Sequence, residues 1–486
     1  MSELELYFNQ YRKKIIGIDK TFKSPYGTRK IIYADWVASG RLYGPIETKM
    51  LDLFGPFVGN THTESSITGT VMTQAYQEAH RILKNHVNAS AEDVIITAGS
   101  GMTGLINKFQ RILGLTVPEQ LKDFVNIPKE LKPVVFISHM EHHSNHTSWL
   151  ETLADVVIIE PDDRGMVSPE NLESALKKYK NRKLKIGSFT ACSNVTGIQT
   201  PYHAMAKLMH ENNGVCFIDF AASAPYVEIN MHPADPLEAL DAIFFSPHKF
   251  LGGPGTPGVL IFNSELYKRK VPDQPGGGTV DWTNPWGEHK FINNIELRED
   301  GGTPGFLQAI KAALCILLKS EMNVNQINLR EKELLKKAFN ELSKIPKLNI
   351  LAREQEERLG IISFYVENIH YNLLVKLLND RFGIQVRGGC TCAGTYGHYL
   401  LHVDPTRSRK ITEKINKGDF SEKPGWVRLS LHPVMTDGEL DYITSAINQT
   451  IENAEHWSKD YKYSSSTNEY YNMRCAEWSA SSLLYL

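Results

Sequence analysis

One stretch constrains this chain more than any other: AIFFSPHKFLGGPGTPG, residues 242–258. The apolar run 242–245 reads as a buried strand, and the glycine- and proline-rich segment beyond it reads as a turn. Ser246, Pro247, His248 and Lys249 are therefore delivered to the carboxyl end of that strand. A lysine held against apolar surroundings loses hydration as an ammonium, so its pKa falls and the neutral amine becomes a nucleophile. Upstream, residues 215–218 read as a second buried strand, and Asp219 stands at its end. Singly, each residue has a plainer reading: a strand-end acid is commonly a turn former and a strand-end lysine commonly solvated. In series they are the amine and carboxylate that a Schiff-base cofactor with a protonated ring nitrogen needs, and pyridoxal 5′-phosphate (PLP) is the usual one.

The surrounding pattern brings such strand ends together. Apolar runs at 94–97, 134–138, 156–159 and 186–189 alternate with helical patterns, which predicts an α/β fold with an open, mostly parallel sheet covered on both faces. Ligands of such sheets bind beyond the carboxyl ends of the strands. The loop Ala98, Gly99, Ser100, Gly101 opens a helix at 102–113, so its amides and the helix N-terminus can cradle a phosphate; by itself the loop is an ordinary turn. Residues 1–20 are expected to form an arm, helical over 3–16, and 21–300 a large cofactor-binding domain. After Gly301 the pattern shifts to helices at 306–318, 330–342 and 371–381 and a strand at 361–366, which predicts a smaller α+β domain over 301–460. The charged segment 403–425 reads as an exposed loop, and the Ser-, Tyr- and Asn-rich tail 461–486 as weakly ordered, its terminal SSLLYL able to dock on the body or a partner.

Composition narrows the function classes. A chain of 486 residues, 42% hydrophobic, with a formal net charge of −2, carries no electrostatic footprint for nucleic acid or an anionic membrane. The basic run KKYKNRKLK, 177–185, reads as a solvated helix end. No apolar stretch approaches a membrane span, and the N-terminus lacks the apolar core of a signal peptide. Six cysteines in so long a chain are not a disulfide framework, so free thiols in a reducing cytoplasm are expected, with Cys192, Cys216 and Cys315 buried. His139, His142, His143 and His146 follow a strand end, which does not fix four imidazoles on one face, and no metal is expected. Arg428, in the apolar strand WVRLSLHP, is expected to carry a buried, paired charge.

Taken together, YADWVASG, ITAGSGMTGLIN, MEHHSNHTSW, CSNVTGI, FIDFAASA, FFSPHKFLGGPGTPG, PGGGTV, GGTPG, VRGGCTCAG and WVRLSLHP lie in one order along the chain. In them the chain resembles class V, fold-type I PLP enzymes, specifically the cysteine desulfurase and selenocysteine lyase branch. The resemblance implies a mostly parallel seven-stranded large domain and a smaller C-terminal α+β domain. It implies that Lys249 forms the Schiff base and later moves protons, that Asp219 pairs with the ring nitrogen, and that His142 stacks on the ring as an acid or base. Gly101 and Met102 amides, with Ser246 and His248, would hold the phosphate; Thr279 would reach the phosphate of a neighbouring subunit, which implies a homodimer with shared sites. Asn194, Arg428 and Arg387 would serve the substrate, the first two at its carboxylate. His62 would stand at the subunit boundary or as a structural histidine.

Cys392 falls where the desulfurases keep their nucleophile. The implied reaction takes L-cysteine or selenocysteine to alanine and leaves a persulfide on Cys392, whose thiolate Arg387 or His142 would favour; Cys390 would be a spectator, and an acceptor protein would collect the sulfur. Two departures stand out. Ala222, followed by Ser223, replaces the glutamine usual after the acid, as in the similar molybdenum cofactor sulfurases, and Gly101-Met102 replaces paired threonines. Two other readings stay open: a PLP carbon-sulfur lyase, epimerase or aminotransferase that does not use the thiol, and a non-catalytic binding subunit of the same fold.

Overall fold

The computed structural model describes residues 2–474. Its centre is a seven-stranded sheet of β1 (Asp93–Ala98), β2 (Val134–Ser138), β3 (Asp155–Ile159), β4 (Lys185–Thr190), β5 (Val215–Asp219), β6 (Ala242–Phe245) and β7 (Gly258–Asn263). The strands lie side by side in the order β1, β7, β6, β5, β4, β2, β3. Strand β7 runs antiparallel to β1 and β6, and the remaining neighbours are parallel. Strands buried on both faces explain the apolar runs: along β5 and β6, Phe217 and Phe244 pack into one layer, while Ile218, Ile243 and Phe245 pack into the other. In the first layer Phe109 meets Phe217 edge-on at 5.1 Å between ring centres. Strands β1 to β6 all end at one edge of the sheet. There Gly258, at the start of β7, passes so close to the loop after β1 that a Cβ would lie 2.4 Å from the Gly101 carbonyl oxygen.

Helices pack around this sheet and on one another. They include α1 (Glu3–Arg12), α2 (Ile67–His86), α3 (Met102–Ile112), α4 (Phe306–Met322) and α5 (Val324–Leu342). Tyr76 and Ala79 of α2 pack against Ala309, Ile310 and Ala313 of α4. Asn323, at φ +60°, separates α4 from α5 and accepts hydrogen bonds from the first amides of α5.

A second, antiparallel sheet joins β8 (Leu348–Ile350), β9 (Ile361–Val366), β10 (Arg387–Gly389) and β11 (Trp426–Ser430), in the order β8, β9, β11, β10. The N-terminal segment runs alongside it: Ile32–Tyr33 pairs in parallel with Ile384–Gln385, and Asp35 bridges to Ser430. One continuous apolar core, from Phe8 through Phe189 to Trp426, joins both sheets.

Several elements differ from the sequence expectation. Residues 403–425 are not a loop but hold α6 (Pro405–Asn416), started by Asp404, whose carboxylate accepts from the amides of Thr406 and Arg407. Its charged composition hid it, since Ile411 is its one buried residue. The stretch after residue 371 is helical over Tyr371–Leu377, widens to a π-turn over Leu378–Phe382, and ends at Gly383, at φ +75°. The final long helix is α7 (Asp437–Trp457), opened by a capping box between Thr436 and Glu439. Beyond it, Tyr461–Ser464 and Glu469–Asn472 form a hairpin, where weak order was expected. Tyr461 packs on Leu373 and Leu377, and its hydroxyl donates to Asp380 Oδ2 at 3.0 Å. The terminal SSLLYL lies outside the described residues.

The hairpin anchor is testable. Tyr461→Phe leaves the buried Asp380 oxygen without that donor and should cost about 1–2 kcal/mol, read as a lower urea midpoint with an unchanged far-UV spectrum. An unchanged midpoint would mean that the hairpin does not brace the body.

Candidate active site

The carboxyl edge of the central sheet closes around a cavity of about 250 Å3, and the residues lining it come from both sheets. Lys249 reaches it from a tight turn after β6, where its amide donates to the Ser246 carbonyl at 3.0 Å. Burial pulls its pKa down from the usual lysine range to about 8, and the facing charge of Asp219 limits that fall. Asp219 closes β5, is 4% exposed, and accepts from the Ala221 amide at 2.8 Å. Burial raises its pKa, against that amide and the Lys249 charge.

One end of the cavity is formed by the start of α3. The Met102 amide donates to Ser246 Oγ at 3.0 Å, and His248 Nδ1 donates to the Ser100 carbonyl at 2.8 Å. A Cβ on Gly101 would lie 3.1 Å from His248 Cε1 and 3.3 Å from Ser246 Oγ, so glycine keeps this concave corner open. Thr103 and Ser144, whose hydroxyls are 2.7 Å apart, line the same end.

His142 borders the cavity between these groups. Its Nδ1 accepts from the Ser144 amide at 3.2 Å, which leaves the ring proton on Nε2. Burial, then the Lys249 charge, pushes its pKa down to about 3, so the ring is neutral at physiological pH. The expectation that His142 favours a Cys392 thiolate electrostatically is therefore corrected: a neutral imidazole supplies no charge. Behind it, Glu141 is fully buried and takes hydrogen bonds from Ser138, Asn145 and the Thr190 amide; burial raises its pKa to about 8.

Cys392 reaches the cavity from the loop that follows β10 of the second sheet. Thr391 and Cys392 both sit in the left-handed region, at φ +48° and +58°, which non-glycine residues adopt only under constraint. The constraint is visible. The Cys392 carbonyl accepts from the His143 amide at 2.7 Å, and the Thr391 carbonyl from Asn194 Nδ2 at 2.7 Å. The Gly394 amide donates to His143 Nε2 at 2.9 Å, and Thr395 pairs with His146 at 3.2 Å. The histidine run thus pins the Cys392 loop, with His139 turned away onto the Gly165 carbonyl at 3.1 Å. Cys392 is exposed and Cys390 half-buried, while Cys192, Cys216 and Cys315 are buried. Cys192 also lines the cavity, and burial holds its thiol protonated.

A third corner is cationic. Arg428, 3% exposed, donates from Nη2 to Asp35 Oδ1 at 2.7 Å and from Nη1 to the Asn194 carbonyl at 3.3 Å. Arg387, half-exposed, donates from Nε to the other Asp35 oxygen at 2.9 Å. Three buried polar atoms of cavity-lining residues lack partners: Arg428 Nε, Asn194 Oδ1 and Thr391 Oγ1.

Of the residues expected to hold the cofactor or substrate or to act in catalysis, Thr279 alone lies outside this cavity. Its hydroxyl is buried and donates to the Gly276 carbonyl at 2.6 Å. His62 lines a separate polar cavity of about 780 Å3 with Tyr76, His80 and Asp300. Ala222 packs with Val37 and Ile361 as an apolar wall, and the neighbouring Ser223 hydroxyl is buried without a partner. Sequence reasoning assigned no role to Asp35, Thr103, Ser144, Thr190 or Thr391; all but Thr190 stood inside runs already singled out.

Chemically, the cavity combines a readily deprotonated lysine, a buried carboxylate below it, donors at a helix start, an arginine with a free N–H, and an exposed thiol. Known proteins agree with it. The family model described as aminotransferase class V matches residues 32–443. A probable cysteine desulfurase of Staphylococcus epidermidis is 27% identical over 386 residues, 78% of this chain and 87% of the relative. Another, of Halalkalibacterium halodurans, is 26% identical over 368 residues, 75% of this chain and 84% of the relative. The apo structure of a cysteine desulfurase from Thermococcus onnurineus NA1 superposes with a TM-score of 0.73 at 22% identity, covering 91% of this chain and 98% of that one. The cysteine desulfurase CsdA of Escherichia coli gives 0.71 at 21% identity, with 92% and 98% covered. These two likenesses establish the fold-type I architecture. The chain belongs to the aminotransferase class V family of PLP-dependent enzymes.

Proposed function

We propose that this chain is a cysteine desulfurase, which converts L-cysteine to alanine and leaves the sulfur as a persulfide on Cys392. The observation that carries the reading is the meeting of Lys249 and Cys392, from separate domains, in one cavity with an unsatisfied arginine N–H. The relatives from Halalkalibacterium halodurans and Staphylococcus epidermidis, each a probable cysteine desulfurase, support the same activity.

The donor set fits the cofactor. Gly101 keeps a concave corner open beside Ser246, His248 and the start of α3, which suits a phosphate dianion. Asp219 is placed to hold a proton on a ring nitrogen, and His142, neutral, can stack on an aromatic ring without charge repulsion from Lys249. PLP, when bound, supplies an electron sink for the bond pair released at the substrate.

The residues do the rest. Arg428 and Asn194, with Arg387, take the substrate carboxylate and set the side chain toward Cys392. The Cys392 thiolate attacks the substrate sulfur: an S–S bond forms, the C–S bond breaks, and the pair stays with carbon. Lys249 Nζ then moves the proton that completes alanine. Two equivalents of an external thiol release the sulfur as sulfide and restore Cys392. His62 is assigned to a homodimer boundary, which the exposed Leu51, Leu53, Val58 and Ile67 support as apolar surface awaiting cover, whereas Thr279, buried within its own chain, does not itself reach that surface. No described helix is long and apolar enough to cross a membrane; the free cysteines support a reducing cytoplasm.

One observation favours the thiol-independent lyase: neutral His142 and Asp35-paired Arg387 leave Cys392 without a dedicated cation. Two measurements decide. Cys392→Ser should lower alanine release from L-cysteine about a hundredfold or more while leaving the cofactor's absorption band in place; pyruvate and ammonia formed at an undiminished rate would establish the lyase instead. In the apo chain, capture of a pyridoxal aldehyde by Lys249 should rise with pH and level off above about 8, because its neutral fraction grows through that pKa. A rise that continues to the ordinary lysine range would place the amine in water.

A further inference from the structure

We propose that Asp35 is a positioning and specificity residue: by holding Arg428 and Arg387 together it leaves the carboxylate corner with one surplus positive charge, and so selects substrates with a single carboxylate. The inference rests on Arg428 receiving the amino-acid carboxylate, as argued above.

The register makes Asp35 necessary. Arg387 on β10 stands directly opposite Arg428 on β11. Like charges at facing positions of an antiparallel pair repel, and the repulsion grows when one of them is buried. Asp35 relieves it with one oxygen to each guanidinium, at 2.7 and 2.9 Å. Asp35 is also held rigidly. The Ser430 amide donates to the Ala34 carbonyl at 2.8 Å, the Ala34 amide to the Gln385 carbonyl at 3.0 Å, and the Val37 amide to Ser430 Oγ at 3.1 Å. Its carboxylate sits behind the arginines and does not line the cavity.

The charge count follows. Two guanidinium groups share one carboxylate, and Asp35 is the carboxylate that acts most strongly on Arg428. One incoming carboxylate neutralises the corner, with the bare Arg428 Nε as its ready donor. A second carboxylate on the same ligand would enter a low-dielectric space where the two guanidinium groups are already matched by Asp35 and the first carboxylate.

The test measures binding of L-aspartate and L-asparagine to the PLP-loaded protein by calorimetry. The two ligands share a shape and differ by one charge. The wild type should prefer L-asparagine. Asp35→Asn, which frees a second positive charge, should shift the ratio toward L-aspartate by about tenfold, and Asp35→Glu should restore the wild-type preference. Arg387→Gln, at a half-exposed position that tolerates change, should move the ratio the other way, and it serves if Asp35→Asn fails to fold. Affinities for both ligands that fall together, with the ratio unchanged, would reduce Asp35 to a structural contact and overturn the proposal. Because the readout is binding, failure of the desulfurase reading would show separately, as no alanine from L-cysteine with the charge selectivity intact.

Discussion

A lysine amine out of water at the carboxyl edge of a parallel sheet is the constraint around which this molecule is arranged. An ammonium there would surrender most of its hydration, and the opposing charges on Asp219 and, more weakly, Asp35 do not make up the loss. The amine is therefore readily neutral, as a nucleophile must be. Everything that keeps water from it is fold: strands buried on both faces, the turn that carries Lys249 after β6, and the close approach of Gly258 to Gly101 that seals the neighbouring strand end.

The second sheet and its flanking loop complete the site by bringing polar groups that the central sheet lacks. Arg428 arrives on a strand of the small sheet and Cys392 in the loop that follows β10, and each is tied back to elements of the central sheet. Arg428 donates to the Asn194 carbonyl, and the Cys392 loop is pinned by His143, His146 and Asn194. Asn194 thus serves both corners, through its carbonyl on one side and its amide nitrogen on the other. Two successive left-handed residues, Thr391 and Cys392, are the conformational cost of aiming the loop inward, and the hydrogen bonds offset it.

The central sheet and the placement of the site at its edge were legible because fully buried strands write themselves as unbroken apolar runs, each followed here by a polar cluster. What stayed hidden depended on partners distant in the chain. Asp35 meets Arg387 across a separation of 352 residues, a contact set by the pairing of Ile32–Tyr33 with Ile384–Gln385 that no local pattern announces. The helix at Pro405–Asn416 was masked because one buried residue gives no periodicity to read. In the terminal hairpin, tyrosines that looked like a polar tail pack on Leu373 and Leu377. In the histidine run His142 alone was read for chemistry, and the other three rings prove to anchor loops.

The most direct measurement is reduction of the PLP-loaded protein with borohydride, followed by peptide mass spectrometry. Two lysines carry pKa values lowered by burial, Lys249 at about 8 and Lys319 at about 7. Lys319 spends its amine on the carbonyls of Ala224 and Val227, away from the cavity. The cofactor should be found on Lys249 alone. A pyridoxyl group on Lys319, or on any surface lysine in place of Lys249, would contradict a site built around the strand-end amine.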